Sequence, residues 1–181
     1  MSASFPPSSD VGEILISESD IAARIAEIGV EIANDHEDST PILVAILKGS
    51  VVFVADLLRA IPGPVEVDFM AVSSYGAGLQ SSGAVKILKD LDRSVTGRDV
   101  ILVEDIIDSG LTAQYLLKHF ESQQPASLKI CTLLLREDNS RPQMDIDYVG
   151  FELPPAFVIG YGLDVDQAYR NLPYIARYAK A

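Results

Sequence analysis

Short apolar runs, each broken off abruptly by polar residues or glycine, constrain this chain more than any other feature. Ile42–Leu47 is uninterrupted and stops at Lys48-Gly49-Ser50. Val100–Val103 is equally apolar and stops at Glu104-Asp105, and Leu128–Leu135 is a third such segment. Strands that are apolar on both faces belong to parallel sheets covered on both sides. Between them lie segments of helical period. Ser17-Glu18-Ser19-Asp20 offers capping side chains to a helix with Ile21, Ile25, Ile28 and Ile32 on one face. Val51–Ala60 reads as a largely apolar helix ended by Pro62 and Gly63, and Thr112–Glu121 as another. Glu13–Ser17, Val65–Ser73, Tyr148–Phe151 and Phe157–Tyr161 read as further strands. Val85–Leu88 reads as the return arm of a long hairpin whose loop, Ser74–Gly83, is dense in Gly and Ser. The alternation predicts an α/β fold, a mostly parallel open sheet flanked by helices. Ligands of such sheets sit outside the carboxyl ends of the strands.

With 181 residues there is room for one full core and not comfortably for two. Residues 1–12, with paired prolines and several serines, read as a flexible arm, and residues 13–181 as a single domain. No apolar stretch reaches the roughly 18 residues of a membrane span. The first residues lack a signal peptide's basic and apolar regions, and there is one cysteine, Cys131, so the expected compartment is the cytoplasm. A net charge of −12 argues against nucleic acid and anionic lipid as partners. It is compatible with a small phosphorylated ligand, because a divalent cation can bridge carboxylates to phosphates. Two histidines and one cysteine do not make a zinc cluster of the usual kinds.

The segment after Val103 carries the chemistry. Two adjacent carboxylates at the end of a buried strand repel each other and are poorly solvated unless hydroxyls or a cation receive them. Asp108-Ser109-Gly110-Leu111-Thr112 then opens a helix, where successive N–H groups, two hydroxyls and the helix dipole suit an anion. Gly110 permits a tight turn. On these residues alone, a helix cap at Asp108 or Ser109 beside a solvated acidic turn explains the pattern equally well.

Taken whole, V-E-D-I-I-D-S-G-L-T resembles the phosphoribosyl-pyrophosphate signature of the type I phosphoribosyltransferases, specifically their bacterial hypoxanthine-guanine branch. The resemblance implies that family's fold, with a small hood formed by terminal segments. It implies that Glu104 and Asp105 bind the ribose hydroxyls, partly through Mg²⁺, and that Asp108 is the general base or hydrogen-bond partner at purine N7. Ser109, Gly110, Leu111 and Thr112 would cradle the 5′-phosphate, with Ile106 against the base. Lys48-Gly49 resembles the family's pyrophosphate loop, often built on an unusual cis peptide. It is not a nucleotide-triphosphatase loop, because Lys48 precedes its glycine. Ser74-Tyr75 matches the family's mobile loop, a lid that would exclude water from a cationic centre. A second extended match is V-G-F-E-L-P-P-A-F-V-I-G-Y-G-L-D, followed by Y-R-N-L-P. There the resemblance makes Phe157 the ring that stacks on the purine and Val158 the backbone that reads its edge. Asp164 would help to hold metal, and Arg170 would contact pyrophosphate.

The function implied is purine salvage: a phosphoribosyl group passes from 5-phosphoribosyl pyrophosphate to hypoxanthine or guanine, with Mg²⁺ as cofactor, in a homo-dimer or tetramer. The chain departs from the pattern at Asp145, where relatives place a lysine that donates to the purine 6-oxo group; Arg136 and Arg141 are the candidate substitutes. A carboxylate does not donate unless protonated. Alternatives are a preference for xanthine or adenine, and an RNA-binding attenuation regulator on the same fold, which would need a basic face. Cys131, His36 and His119 receive structural roles only.

Overall fold

The computed structural model of the chain describes residues 9–74, 85–136 and 144–180. Its main sheet has six strands, formed by β2 (Ile42–Leu47), β3 (Glu66–Ser74), β4 (Val85–Lys89), β5 (Asp99–Ile107), β6 (Ser127–Arg136) and β7 (Tyr148–Leu153). Their order is β4-β3-β2-β5-β6-β7. All neighbours are parallel except β3 and β4, which form the predicted antiparallel hairpin. The tip of that hairpin, including Tyr75 and the expected lid, lies outside the described residues, as does Arg141.

The apolar strands are covered on both sides, as their composition requires. Leu43, Ala45, Ile101, Val103, Cys131 and Leu133 face a core with Ile21, Ile25, Ile28 and Ile32 of α1 (Glu18–Asp35) and Phe53, Val54 and Leu57 of α2 (Val51–Ala60). The alternate residues Ile42, Val44, Ile46, Val100 and Leu102 face the opposite way, against Leu116 and Phe120 of α3 (Leu111–Glu121). Ser17 caps α1, its side chain accepting from the Asp20 N–H at 3.2 Å. Cys131 is a buried free thiol in this core. No helix among the described residues is long and apolar enough to cross a membrane.

A second, three-stranded sheet makes the hood. It joins β1 (Val11–Ile16), β8 (Val158–Ile159) and β9 (Ile175–Tyr178) in the antiparallel order β1-β9-β8. β1 starts at Val11, inside the stretch assigned to the arm; residues 1–8 lie outside the described residues. The strand expected at Phe157–Tyr161 shrinks to two residues and leaves the main sheet. Pro154-Pro155 break the chain after β7, and Gly160 and Gly162, at φ of 100° and 99°, turn it away again. β9, unforeseen from the sequence, pairs with both β1 and β8.

Candidate active site

The sequence places Glu104 and Asp105 beyond the end of an apolar strand, whereas the structure keeps them inside β5. Its pairing with β2 ends at Ala45↔Val103, while pairing with β6 continues through Ile107↔Leu135. Past Val103 the strand therefore has a neighbour on one side only, and the open side faces the segment that follows β2. Alternation along a strand sends the two carboxylates in opposite directions. Glu104 is buried and lines a cavity of about 100 Å³ with Ile106, Asp108, Ser109, Gly110, Leu111 and Thr112. Asp105 meets the backbone after β2. A Cβ built on Gly49 would lie 1.6 Å from Asp105 Oδ2, so only glycine allows this approach.

Gly49 is the point where three segments converge. One residue earlier, the Leu47–Lys48 peptide is cis. The Gly49 carbonyl is in turn covered by Gly162, where an added Cβ would come within 2.0 Å of that oxygen. Ser50, fully buried, turns the chain into α2 by donating its hydroxyl to the Ile46 carbonyl at 2.6 Å. This sets the exposed Lys48 ammonium next to Gln167, whose Oε1 accepts from Nζ at 3.2 Å. Arg170 joins the same cluster. It donates to the Gly162 carbonyl at 2.7 Å, reaches Gln167 Oε1 at 3.4 Å and pairs with Asp164 at 2.7 Å. Gln167 was not singled out from the sequence. It stands at φ 69°, its N–H donating to Asp164 Oδ2 at 2.8 Å, and nothing in its residue type signals this bridging position.

The loop after β5 opens α3 as the sequence suggests, but neither Asp108 nor Ser109 is its cap. Gly110 takes that place at φ 74°, with no capping side chain. The first intrahelical bond runs from Gln114 N–H to the Gly110 carbonyl at 2.9 Å, which leaves the N–H groups of Leu111, Thr112 and Ala113 without helical acceptors. Asp108 and Ser109 are exposed at the mouth of this loop.

Opposite the loop stands the hood. Phe157, half exposed, follows Ala156, and Val158 beside it is buried. Arg136 at the end of β6 ties the two bodies together. One guanidinium nitrogen donates to Asp108 Oδ2 at 2.9 Å and another to the Ala156 carbonyl at 2.8 Å. Arg136, one of the two candidate substitutes for the lysine absent at Asp145, ends a buried strand much as Lys48 follows one. Asp145 is exposed on the approach to β7. Ser74 closes β3 opposite Val85.

The electrostatics of the pair follow from this burial. Burial, with Asp105 beside it, pushes Glu104 up to about 8. Burial also raises Asp105 to about 6, with Asp164 pushing the same way and Arg170 opposing it. Glu104 Oε1 has no hydrogen-bond partner, an expensive state for a buried oxygen. Among the described residues no three or more Asp, Glu, His or Cys gather into a metal cage. The donors present are carboxylate oxygens with unused capacity. They suit a hard cation such as Mg²⁺, which takes one or two carboxylates and completes its shell with water and substrate phosphates.

Comparisons with known proteins show the family. The family model described as "Phosphoribosyl transferase domain" matches residues 11–166. The chain is 51% identical over 172 residues to the hypoxanthine-guanine phosphoribosyltransferase of Mycobacterium avium, covering 92% of this chain and 85% of that one. It is 49% identical over 166 residues to the enzyme of the same name from Bacillus subtilis, covering 92% of each. A crystal structure of a hypoxanthine-guanine phosphoribosyltransferase from Bacillus anthracis superposes with a TM-score of 0.88 at 45% identity, over 93% of this chain and 99% of that one.

Proposed function

We propose that this chain, which belongs to the phosphoribosyl transferase family, is a purine-salvage enzyme. It transfers the 5-phosphoribosyl group of 5-phosphoribosyl pyrophosphate to hypoxanthine or guanine, yielding the nucleoside monophosphate and pyrophosphate. The observation that carries this reading is the convergence at Gly49. A carboxylate strand end, a lysine loop and an arginine-bearing hood segment meet there, and the same strand leads on into the N-terminus of α3.

Each part then has a task. The N–H groups of Leu111 and Thr112, with the hydroxyls of Ser109 and Thr112, receive the 5′-phosphate. Asp105 and Glu104 receive the ribose hydroxyls. Lys48, the Gly49 backbone and Arg170 face the departing pyrophosphate, where the forked donors of arginine suit phosphate oxygens. Glu104 and Asp105, with Asp164 nearby, would hold Mg²⁺, which when bound neutralises charge developing on pyrophosphate. Phe157 supplies the surface on which the purine stacks, Ile106 lies below it and the Val158 backbone meets its edge. Asp108 holds the N7 proton while N9 attacks the anomeric carbon. Ser74, at the end of β3, and Tyr75, outside the described residues, would contact 5-phosphoribosyl pyrophosphate.

Arg136 is the side chain best placed to donate to a purine 6-oxo group. It already bridges Asp108 and the backbone next to Phe157. This supports a 6-oxopurine over adenine, whose 6-amino group offers a donor in that position and would meet a donor in Arg136. The setting we infer is the cytoplasm, and the working form a homo-oligomer. The test is direct: purified protein with Mg²⁺ and 5-phosphoribosyl pyrophosphate is given hypoxanthine, guanine, xanthine and adenine in turn. The ultraviolet spectrum should change with hypoxanthine or guanine; silence with both would overturn the assignment.

A further inference from the structure

Phe157 presents a physical problem. It follows two prolines, is 50% exposed and sits before a strand of only two residues. A phenyl ring so placed has little around it to hold one rotamer, and a ring that samples several does not form a flat platform. What restrains it lies on β9. The Tyr178 N–H donates to the Phe157 carbonyl at 2.9 Å, continuing the register in which Val158 faces Arg177. Residues directly opposite across an antiparallel pair bring their side chains together on one face. The two ring centroids are 5.8 Å apart with planes tilted by 54°, a separation and orientation at which aromatic rings attract.

The contact does not stop there. Tyr169 lies 6.3 Å from Tyr178 at a tilt of 52°, making a three-ring ladder across the hood. Tyr169 itself stands at φ 73°, an uncommon conformation for a bulky residue. Its hydroxyl donates to Asp10 Oδ2 at 3.0 Å, and the other oxygen of Asp10 pairs with Lys180 at 2.7 Å. The ladder thus ends in a charged clasp that joins the two ends of the described chain. Tyr169 also directly precedes Arg170, so the same ladder abuts the segment facing pyrophosphate.

We propose that Tyr178 is a positioning residue for the purine: it acts through Phe157, holding that ring ready by contact from behind. The proposal rests on the reading of Phe157 as the purine platform. Because Tyr178 acts through the Phe157 ring, its effect falls on the base and not on the sugar pyrophosphate.

The experiment compares Tyr178→Ala, Tyr178→Phe, Phe157→Ala and the double variant Phe157→Ala/Tyr178→Ala. Tyr178→Ala should raise the KM for hypoxanthine about fivefold to tenfold, the effect of one lost aromatic pair. The KM for 5-phosphoribosyl pyrophosphate and kcat should stay within about twofold. Tyr178→Phe should restore the parent value, since the ring and not the hydroxyl does the work. In the Phe157→Ala background Tyr178→Ala should add nothing, because the residue it acts through is gone. Unchanged hypoxanthine KM in Tyr178→Ala, or equal losses toward both substrates, would overturn the proposal. If Phe157→Ala itself leaves hypoxanthine KM unchanged, the platform reading fails instead, and the two failures are distinct. Should Tyr178→Ala not fold, Tyr178→Leu keeps the apolar contact of β9 without the ring and is read by the same criteria.

Discussion

Asp108 stands exposed at the mouth of the loop that opens α3, with an Arg136 nitrogen 2.9 Å from its carboxylate. The same guanidinium reaches the Ala156 carbonyl, so Asp108 is tied through Arg136 to the backbone next to Phe157. Replacing Asp108 by Asn removes the charge and the proton acceptor but leaves the shape. Turnover should fall by about 10²–10⁴-fold, the usual range for a lost general acid or base. The affinity for 5-phosphoribosyl pyrophosphate, measured by calorimetry, should change little. Near-normal turnover would remove Asp108 from the mechanism. Arg136, named from the sequence only as a candidate substitute for the lysine absent at Asp145, shows which part of a residue's role needs the fold. It ends a buried strand as Lys48 does, yet its two partners, Asp108 and the Ala156 carbonyl, come from segments 28 residues before it and 20 after it.

At the scale of elements, the site exists because β5 outruns β2. The two strands part after Ala45↔Val103, so the turn after β2 folds against the exposed flank of β5. Gly49 makes that possible, and Gly162 seals it from the hood side. Gly49→Ala would drive a methyl into the Asp105 carboxylate, with backbone on the far side that is itself packed. The Lys48 loop should then shift, and 5-phosphoribosyl pyrophosphate should bind more than about tenfold weaker, as ångström-scale misplacement typically costs. Hypoxanthine binding, read by fluorescence or calorimetry, should suffer less. Equal affinity for 5-phosphoribosyl pyrophosphate in wild type and Gly49→Ala would show that the close approach has no functional part. The apolar runs predicted β2 residue for residue. They placed the end of β5 four residues early, because a hydropathy pattern stops at a carboxylate whereas pairing with β6 does not.

On the scale of the whole molecule, the carboxylate pair sets a pH dependence of folding. In the unfolded chain Glu104 and Asp105 lose their protons near 4.5 and 3.8; in the fold they keep them to about 8 and about 6. The folded state therefore holds more protons between those values, and the stability these groups contribute is full below them and lost as pH rises through about 6 and then about 8. Urea unfolding of the metal-free protein should show falling stability across that window, and Glu104→Gln should flatten most of the slope. Mg²⁺ with 5-phosphoribosyl pyrophosphate should raise stability most at the alkaline end, where the charges they would neutralise are present. A wild-type profile that is level from about pH 5 to about pH 8.5 would contradict the burial argument.

The sequence by itself determined the parallel sheet, its two covering layers and the motifs at its strand ends. Those follow from local alternation of apolar and polar residues, which each segment carries within itself. Only the tertiary structure decided that Glu104 and Asp105 face opposite sides of β5, that Gln167 bridges Lys48 and Arg170, and that Phe157 belongs to the hood with Tyr178 behind it. Each of these depends on a register or a turn that brings distant segments together. A short strand such as β9 has too few residues to show a period, and its partners are set by the space left when the main sheet closes its core.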